Sequence, residues 1–147
     1  GAIVAQNQYG SYRDRIGVVF ADFYLFRRLY GQEDADLSRV SELLEQFGLT
    51  GKTELVDGTF TTTDLSAGQR KRLALVITIL QDTPVILLDE WAADQDPQFR
   101  ATFYRDILPA LAAEGRIVIC ITHDETYFDA AQALYSMVDG RLQKQTN

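Results

Sequence analysis

Three short segments hold the residues whose types and spacing could do chemistry on a phosphate. Residues 85–90 read VILLDE, residues 122–124 read THD, and residues 65–69 read LSAGQ. Asp89 and Glu90 end an apolar run that has the character of a buried parallel strand. Open α/β sheets bind ligands at that end of their strands, because loops and helix N-termini converge there. Asp89 can hold Mg²⁺, directly or through water, and Glu90 can polarise an attacking water as general base. His123, the one histidine, directly follows a second apolar run and would stand at the same edge, where it suits a sensor of a terminal phosphate. With no second histidine and no cysteine pair nearby, it does not suggest a metal site. Each signal alone has a plainer explanation: two acids where a strand meets a solvated turn, and a histidine that is merely a satisfied polar residue.

LSAGQ also reads in two ways. Ser66 and Gln69 fit the S-x-x-Q capping box, in which each side chain satisfies a backbone N–H of the first helical turn. The same geometry, with free N–H groups at Ala67 and Gly68 and a serine hydroxyl, makes an anion site. Gly68 lets the backbone approach something closely. Arg70, Lys71 and Arg72 follow at once, and cations there oppose the helix dipole. An anion, or acidic neighbours, would offset them. The glycine-rich phosphate cradle G-x-x-x-x-G-K-[ST], the usual companion of such a strand, does not occur in the sequence.

The elements that must position these residues alternate between strand and helix patterns, which indicates an α/β fold. Ala2–Ala5, Ile16–Phe20, Val85–Leu88 and Ile117–Ile121 read as strands, the last two buried. Leu37–Phe47 carries apolar residues at helical spacing and stops at Gly48; Ala67–Gln81 is a second helix. Thr50–Asp64 is polar and reads as a loop. Asp96-Pro97 supplies an N-cap and a first-turn proline for a helix to about Glu114, which Pro109 would kink and Gly115 would end. A short helix near Glu125–Gln132 precedes a hairpin, Leu134–Val138 with Arg141–Leu142, turned by Asp139-Gly140.

Bulk properties bound the possibilities. The 147 residues are 46% hydrophobic and 24% charged, an ordinary globular composition for one domain or part of one. A net charge of −7, from 14 Lys plus Arg against 21 Asp plus Glu, disfavours binding that rests on neutralising phosphates of nucleic acid. The single cysteine, Cys120, excludes an internal disulfide framework and reads as a small buried hydrophobe. No apolar stretch approaches the roughly 20 residues needed to cross a bilayer. The start at Gly1 fits a piece of a longer protein. The aromatic-rich segment FADFYLFRRLYG (20–31) is either ordinary core or a docking surface for a partner helix.

In order and spacing the motifs resemble those of the ATP-binding cassette (ABC) ATPases over essentially the whole chain. LSAGQ is similar to the family signature, VILLDE to its Walker B strand, ADQD (Ala93, Asp94, Gln95, Asp96) to the loop that crosses the dimer, and THD to its switch histidine. More narrowly, LSAGQRKRLAL, DEWAADQDP and VFADFYLF look like the branch that exports cyclic and siderophore-type peptides from bacteria. Trp91-Ala92, where most cassettes have Pro-Thr, is the best pointer to it.

The resemblance implies a parallel P-loop-type sheet with a helical signature subdomain over about 32–82 and the Walker B, dimer-loop and switch-histidine part over 83–147. It implies ATP and Mg²⁺ as ligands, with catalytic roles for Glu90 and His123, a metal role for Asp89, and nucleotide contacts from Ser66, Ala67, Gly68 and Gln69. Each ATP would lie between two such domains. The segment Ala21, Asp22, Phe23, Tyr24 would meet the membrane-spanning domain of the same transporter, at the cytoplasmic face of the bacterial inner membrane. No nucleic acid is expected as partner. At least two of Phe23, Tyr24, Phe26 and Leu29 should then be exposed.

Two departures stand out. The cradle and its helix would lie just upstream of Gly1, so the chain by itself should bind ATP weakly or not at all, and should either oligomerise or rearrange its sheet so that Val85–Leu88 gains a new strand neighbour. Ala21 replaces the usual glutamine, so either Asp22 or a water takes its place or the coupling differs. A soluble cassette ATPase acting in DNA repair or on ribosomes is the alternative; the absence of a heptad run and the acidic balance oppose it.

Overall fold

The computed structural model describes residues 5, 8–31 and 35–145. The strand expected over Ala2–Ala5 lies outside them apart from Ala5, which belongs to no element. A short helix α1 (Tyr9–Arg13) leads into strand β1 (Ile16–Val19). Helix α2 (Leu37–Gln46), strands β2 (Leu55–Val56) and β3 (Thr59–Phe60) and helix α3 (Ala67–Leu80) follow. Then come β4 (Val85–Asp89), α4 (Pro97–Thr102), α5 (Leu108–Ala113), β5 (Ile117–Ile121), and the hairpin β6 (Tyr135–Val138) with β7 (Arg141–Lys144).

The main sheet is parallel, in the order β1-β4-β5. Val18 pairs with Leu87, Leu88 with Cys120, and Asp89 with Ile121. The register puts residue 89 at the carboxyl end beside the start of THD. Ile86 and Leu88 are wholly buried and pack with Leu73, Leu75 and Val76 of α3 and with Phe47, Phe60, Trp91 and Phe103. Helix α3 is the central strut: it packs on β1, α2 and the turn after β4. It comes so close to β1 that a Cβ on Gly17 would sit 2.6 Å from Thr78 Cγ2 and 2.7 Å from Thr83 Oγ1. Helix α2 ends as its sequence predicts. Gly48 takes φ +64°, and Leu49 N–H returns to Leu44 O at 2.7 Å, as in a Schellman cap.

Four expectations need correction. Val85–Asp89 is the middle strand with a neighbour on each side, so it needs no new one. The strand at the edge is β5, and it is not buried. Val118 and Cys120 pack on the core, whereas Ile117, Ile119 and Ile121 are exposed, because among the described residues nothing covers their face. An unbroken apolar run fits a strand covered on both sides but cannot supply the second cover. Thr50–Asp64 is not only loop. It contains the β2–β3 hairpin, turned by Asp57-Gly58 at φ 49° and 69° and extended by Arg27–Leu29, with Phe60 N–H to Arg27 O and Leu29 N–H to Gly58 O both 2.8 Å. Lastly, the helix after Pro97 widens into a π turn at Phe103–Ile107 before α5. Pro109 lacks an N–H and its ring would crowd the carbonyl one turn back, and the wider turn accommodates both.

Candidate functional site

The strand β4 delivers Asp89 and Glu90 to the carboxyl edge of the sheet, and β5 delivers His123 to the same place. Glu90 N–H donates to Ile121 O at 3.0 Å, which locks the two strand ends together. The Glu90 carboxylate then lies 3.2 Å from His123 Nε2. His123 is almost entirely open to solvent, and Glu90 is half-buried. A carboxylate and an imidazole side by side on an open strand edge offer an acceptor for a water proton and an N–H donor for a phosphate oxygen. Asp89 is half-buried beside them, and its carboxylate has no partner among the described residues. Glu90 itself is in the left-handed region, φ 48° and ψ 32°, a conformation costly for a residue with a Cβ.

That strain is held by the turn that follows. Residues Trp91–Asp94 form a single 3₁₀ turn. Trp91 is wholly buried, stacked on Phe103 at 4.2 Å between ring centroids, and its indole N–H donates to Lys71 O at 2.9 Å. This is what the Trp-Ala pair does: it plugs the core beneath the acids. Asp94 and Asp96 meet the cations of α3. Lys71 Nζ lies 2.8 Å from Asp94 and Arg72 lies 2.7 Å from Asp96, while Arg72 also lies over the Phe99 ring at 3.5 Å. Of the two partners the sequence left open for these cations, acidic neighbours are the ones present for Lys71 and Arg72; Arg70 stays exposed. Asp96 caps α4 by accepting from Phe99 N–H at 2.9 Å, and that bond, with the Arg72 guanidinium, holds its carboxyl below the usual carboxylate range.

The capping box at the start of α3 is complete. Gln69 N–H donates to Ser66 Oγ at 3.3 Å, and Ser66 N–H donates to Gln69 Oε1 at 3.1 Å. Ser66 and Ala67 are exposed, and the Ala67 and Gly68 N–H groups have no carbonyl one turn back. Gly68 fits the close approach expected of it: a Cβ there would sit 2.6 Å from the carbonyl oxygen of Asp94. Gln95 bridges the pair by donating to Gly68 O at 3.2 Å. Within one chain, however, no hydrogen bond or ion pair among the described residues joins Ser66, Ala67, Gly68 or Gln69 to Asp89, Glu90 or His123. The two halves of the candidate site stand apart.

Two supporting residues escaped the sequence reading. Tyr104 OH bonds Thr122 Oγ1 at 2.7 Å and donates to Asp124 at 3.0 Å. Burial, the largest cause, pushes the Tyr104 phenol above its ordinary range, so it remains a donor. Arg100 reaches Asp124 at 3.4 Å and donates to the carbonyls of Ala93 at 3.4 Å and Gln95 at 3.2 Å, tying the turn after β4 to the THD loop. A DPxxR run after an acidic turn was the available signal. Cys120 is half-buried rather than fully buried, packed on the core from the edge strand; desolvation above all, then the charges of Asp124 and Glu90, pushes its thiol up to about 12.

The segment after β1 is of another kind. Ala21, Asp22 and Tyr24 are exposed and Phe23 is half-buried; Tyr24 and Phe26 meet edge-to-face at 4.8 Å, both in solvent, while Leu29 is core. Two of the four named residues are thus exposed, as expected. They line a shallow groove of about 220 Å³ with Leu25, Tyr30, Ile77 and Gln81.

The sequence profile of the family described as ABC transporter matches residues 1–93, more than half the chain. This chain belongs to that family. It is similar to the ATP-binding protein SyrD of Pseudomonas syringae pv. syringae, 44% identical over 144 residues, 95% of this chain and 25% of SyrD. It is also similar to the macrolide export ATP-binding/permease protein MacB 1/2 of Paracoccus denitrificans, 34% identical over 109 residues, 74% of this chain and 15% of MacB. In fold it resembles a bacterial Atm1-family ABC exporter with ATP bound, with TM-score 0.70 and 24% identity over 90% of this chain and 25% of the exporter. The chain therefore spans about a quarter of the length of SyrD. It belongs with the ABC transporter ATP-binding domains, and no helix among the described residues is long and apolar enough to cross a membrane.

Proposed function

We propose that this chain is the Walker B, dimer-loop and switch-histidine part of the ATPase domain of an ABC exporter, with its helical signature subdomain over about 32–82 and the remainder over 83–147. The observation that carries the reading is the convergence of Asp89, Glu90 and His123 at the carboxyl edge of a parallel sheet. Glu90 takes a proton from water as the water oxygen attacks the γ-phosphorus in line. The bond from that phosphorus to the bridging oxygen breaks, and ADP leaves with the electron pair. His123 contacts a γ-phosphate oxygen and turns from its partner Glu90 to do so, which its exposure permits. Ser66, Ala67, Gly68 and Gln69 make no hydrogen bond or ion pair to Asp89, Glu90 or His123 among the described residues of one chain. They serve the ATP of a second copy, with the loop Ala93, Asp94, Asp96 at the seam.

The acids fit Mg²⁺. Asp89 offers one unpartnered carboxylate, and no group of three or more acidic, histidine or cysteine side chains gathers among the described residues. A cation that keeps most of its water and takes one carboxylate plus phosphate oxygens suits that donor set. When bound, it neutralises charge on the phosphate oxygens.

The exported molecule, in this reading, is peptide-like, on the strength of Trp91-Ala92 and the LSAGQRKRLAL and VFADFYLF segments. Ala21, Asp22, Phe23 and Tyr24 face the membrane-spanning domain, which would hold this part at the cytoplasmic face of the inner membrane. The test is ATP turnover by the full-length protein with Glu90→Gln. The amide keeps size and hydrogen bonding but is no base, and loss of a general base costs about 10²–10⁴ in rate. Turnover should fall by that range with ATP still bound; a variant within threefold of the parent would remove Glu90 from the role.

A further inference from the structure

Three consecutive contacts converge on one residue of α3. Lys71 Nζ donates to the carbonyl of Glu90 at 2.9 Å and pairs with the Asp94 carboxylate at 2.8 Å, and the Lys71 carbonyl accepts the Trp91 indole N–H at 2.9 Å. The lysine side chain is 6% exposed. A buried ammonium is tolerated only where its charge is paired and its donors are used. Here the partners are the residue proposed as general base and two residues of the turn behind it. That turn begins with Glu90 in a left-handed conformation, and a non-glycine residue stays there only when its surroundings over-determine it. On the same helix, five residues earlier, stands Ser66, on the face proposed to meet the neighbouring copy's ATP.

We infer that Lys71 is the positioning residue of Glu90. Its ammonium grips the Glu90 carbonyl from below, so the side chain above is aimed at His123 and the open edge. Because it belongs to α3, it fixes that aim relative to Ser66 and, beside the Gln95–Gly68 and Arg72–Asp96 contacts, is the link from α3 that reaches Glu90 itself. Lys71 touches neither substrate nor reacting atoms. Its effect is on the orientation of a base, which alters the rate of the chemical step and not the affinity for nucleotide.

This inference rests on the ATPase reading above, and the experiment separates the two. In the full-length protein, kcat and KM for Mg-ATP and the retention of bound ATP are measured for Lys71→Met, Lys71→Gln and Glu90→Gln. Lys71→Met, which fills the space without a charge or donor, should lower kcat at least tenfold with KM within twofold, and should retain ATP as Glu90→Gln does. Lys71→Gln, which keeps a donor toward the Glu90 carbonyl, should recover at least threefold of that loss. A parent-like kcat in Lys71→Met, or a loss expressed in KM and ATP retention instead, would overturn the positioning role. If Lys71→Met does not fold, Lys71→Gln decides alone: a kcat deficit at unchanged KM supports the role, and parent kcat or a raised KM overturns it. Should Glu90→Gln itself keep turnover, the ATPase reading fails first.

Discussion

The turn from Glu90 to Asp96 and the segment from Ala21 to Tyr30 sit at the ends of adjacent strands, yet they are built in opposite ways. In the first, the side chains are fixed by neighbours: Trp91 by stacking and a hydrogen bond, Asp94 by Lys71, Gln95 by Gly68 and Arg72, Asp96 by Phe99 and Arg72. In the second, Tyr24, Phe26 and Tyr30 touch mainly one another and face water. Chemistry requires a group held to within fractions of an ångström, whereas a docking surface requires apolar area left uncovered. A rigid scaffold and an open patch thus stand side by side, as the two tasks proposed for them would require.

If that contrast is real, its two sides respond differently to truncation. The largest expected effect is Trp91→Ala. Removing a wholly buried indole leaves a cavity and an unpaired Lys71 carbonyl, which should cost about 3–5 kcal/mol in urea unfolding of the 147-residue chain. Arg100→Met should cost less, about 1–3 kcal/mol, since it strips bonds from the Ala93 and Gln95 carbonyls while Asp124 keeps Tyr104. Tyr24→Ser combined with Phe26→Ser should shift stability by no more than about 0.5 kcal/mol, as exposed positions do. The same pair should abolish substrate-stimulated ATP turnover in the full-length transporter. A large stability loss from that pair would make the segment core and erase the contrast.

Much of this could be read from the residues, for physical reasons that differ by element. Helix ends were legible because their signals are local: Ser66 with Gln69, Asp96 with Pro97, and Gly48 each act on a backbone a few residues away. The edge that gathers Asp89 and His123 was legible because apolar runs ending in polar residues fix strand ends. What escaped depends on contacts distant in sequence. The dipeptide Asp57-Gly58 makes the same turn as Asp139-Gly140, yet only the latter is flanked by runs long enough to read as strands. Exposure of Ile117, Ile119 and Ile121 depends on what packs over β5, which an apolar pattern cannot report. Tyr104 lies within the π turn and Arg100 on the helix before it, and both reach Asp124 across the fold; for Lys71 the sequence offered an anion or acidic neighbours, and only the placement of Glu90 and Asp94 decides between them.

The central claim is that each ATP lies between Glu90 and His123 of one copy and Ser66–Gln69 of another. Mixed dimers of the full-length protein, purified through two different tags, test it most directly. One preparation pairs a Glu90→Gln copy with a Ser66→Arg copy; the other pairs an unaltered copy with one carrying both substitutions. A shared site places both lesions of the first pair in one site and leaves the other intact, so that pair should hydrolyse ATP while the second pair, damaged at both sites, should not. Turnover in the second pair and none in the first would mean that each site is contained in a single copy, and would contradict the claim.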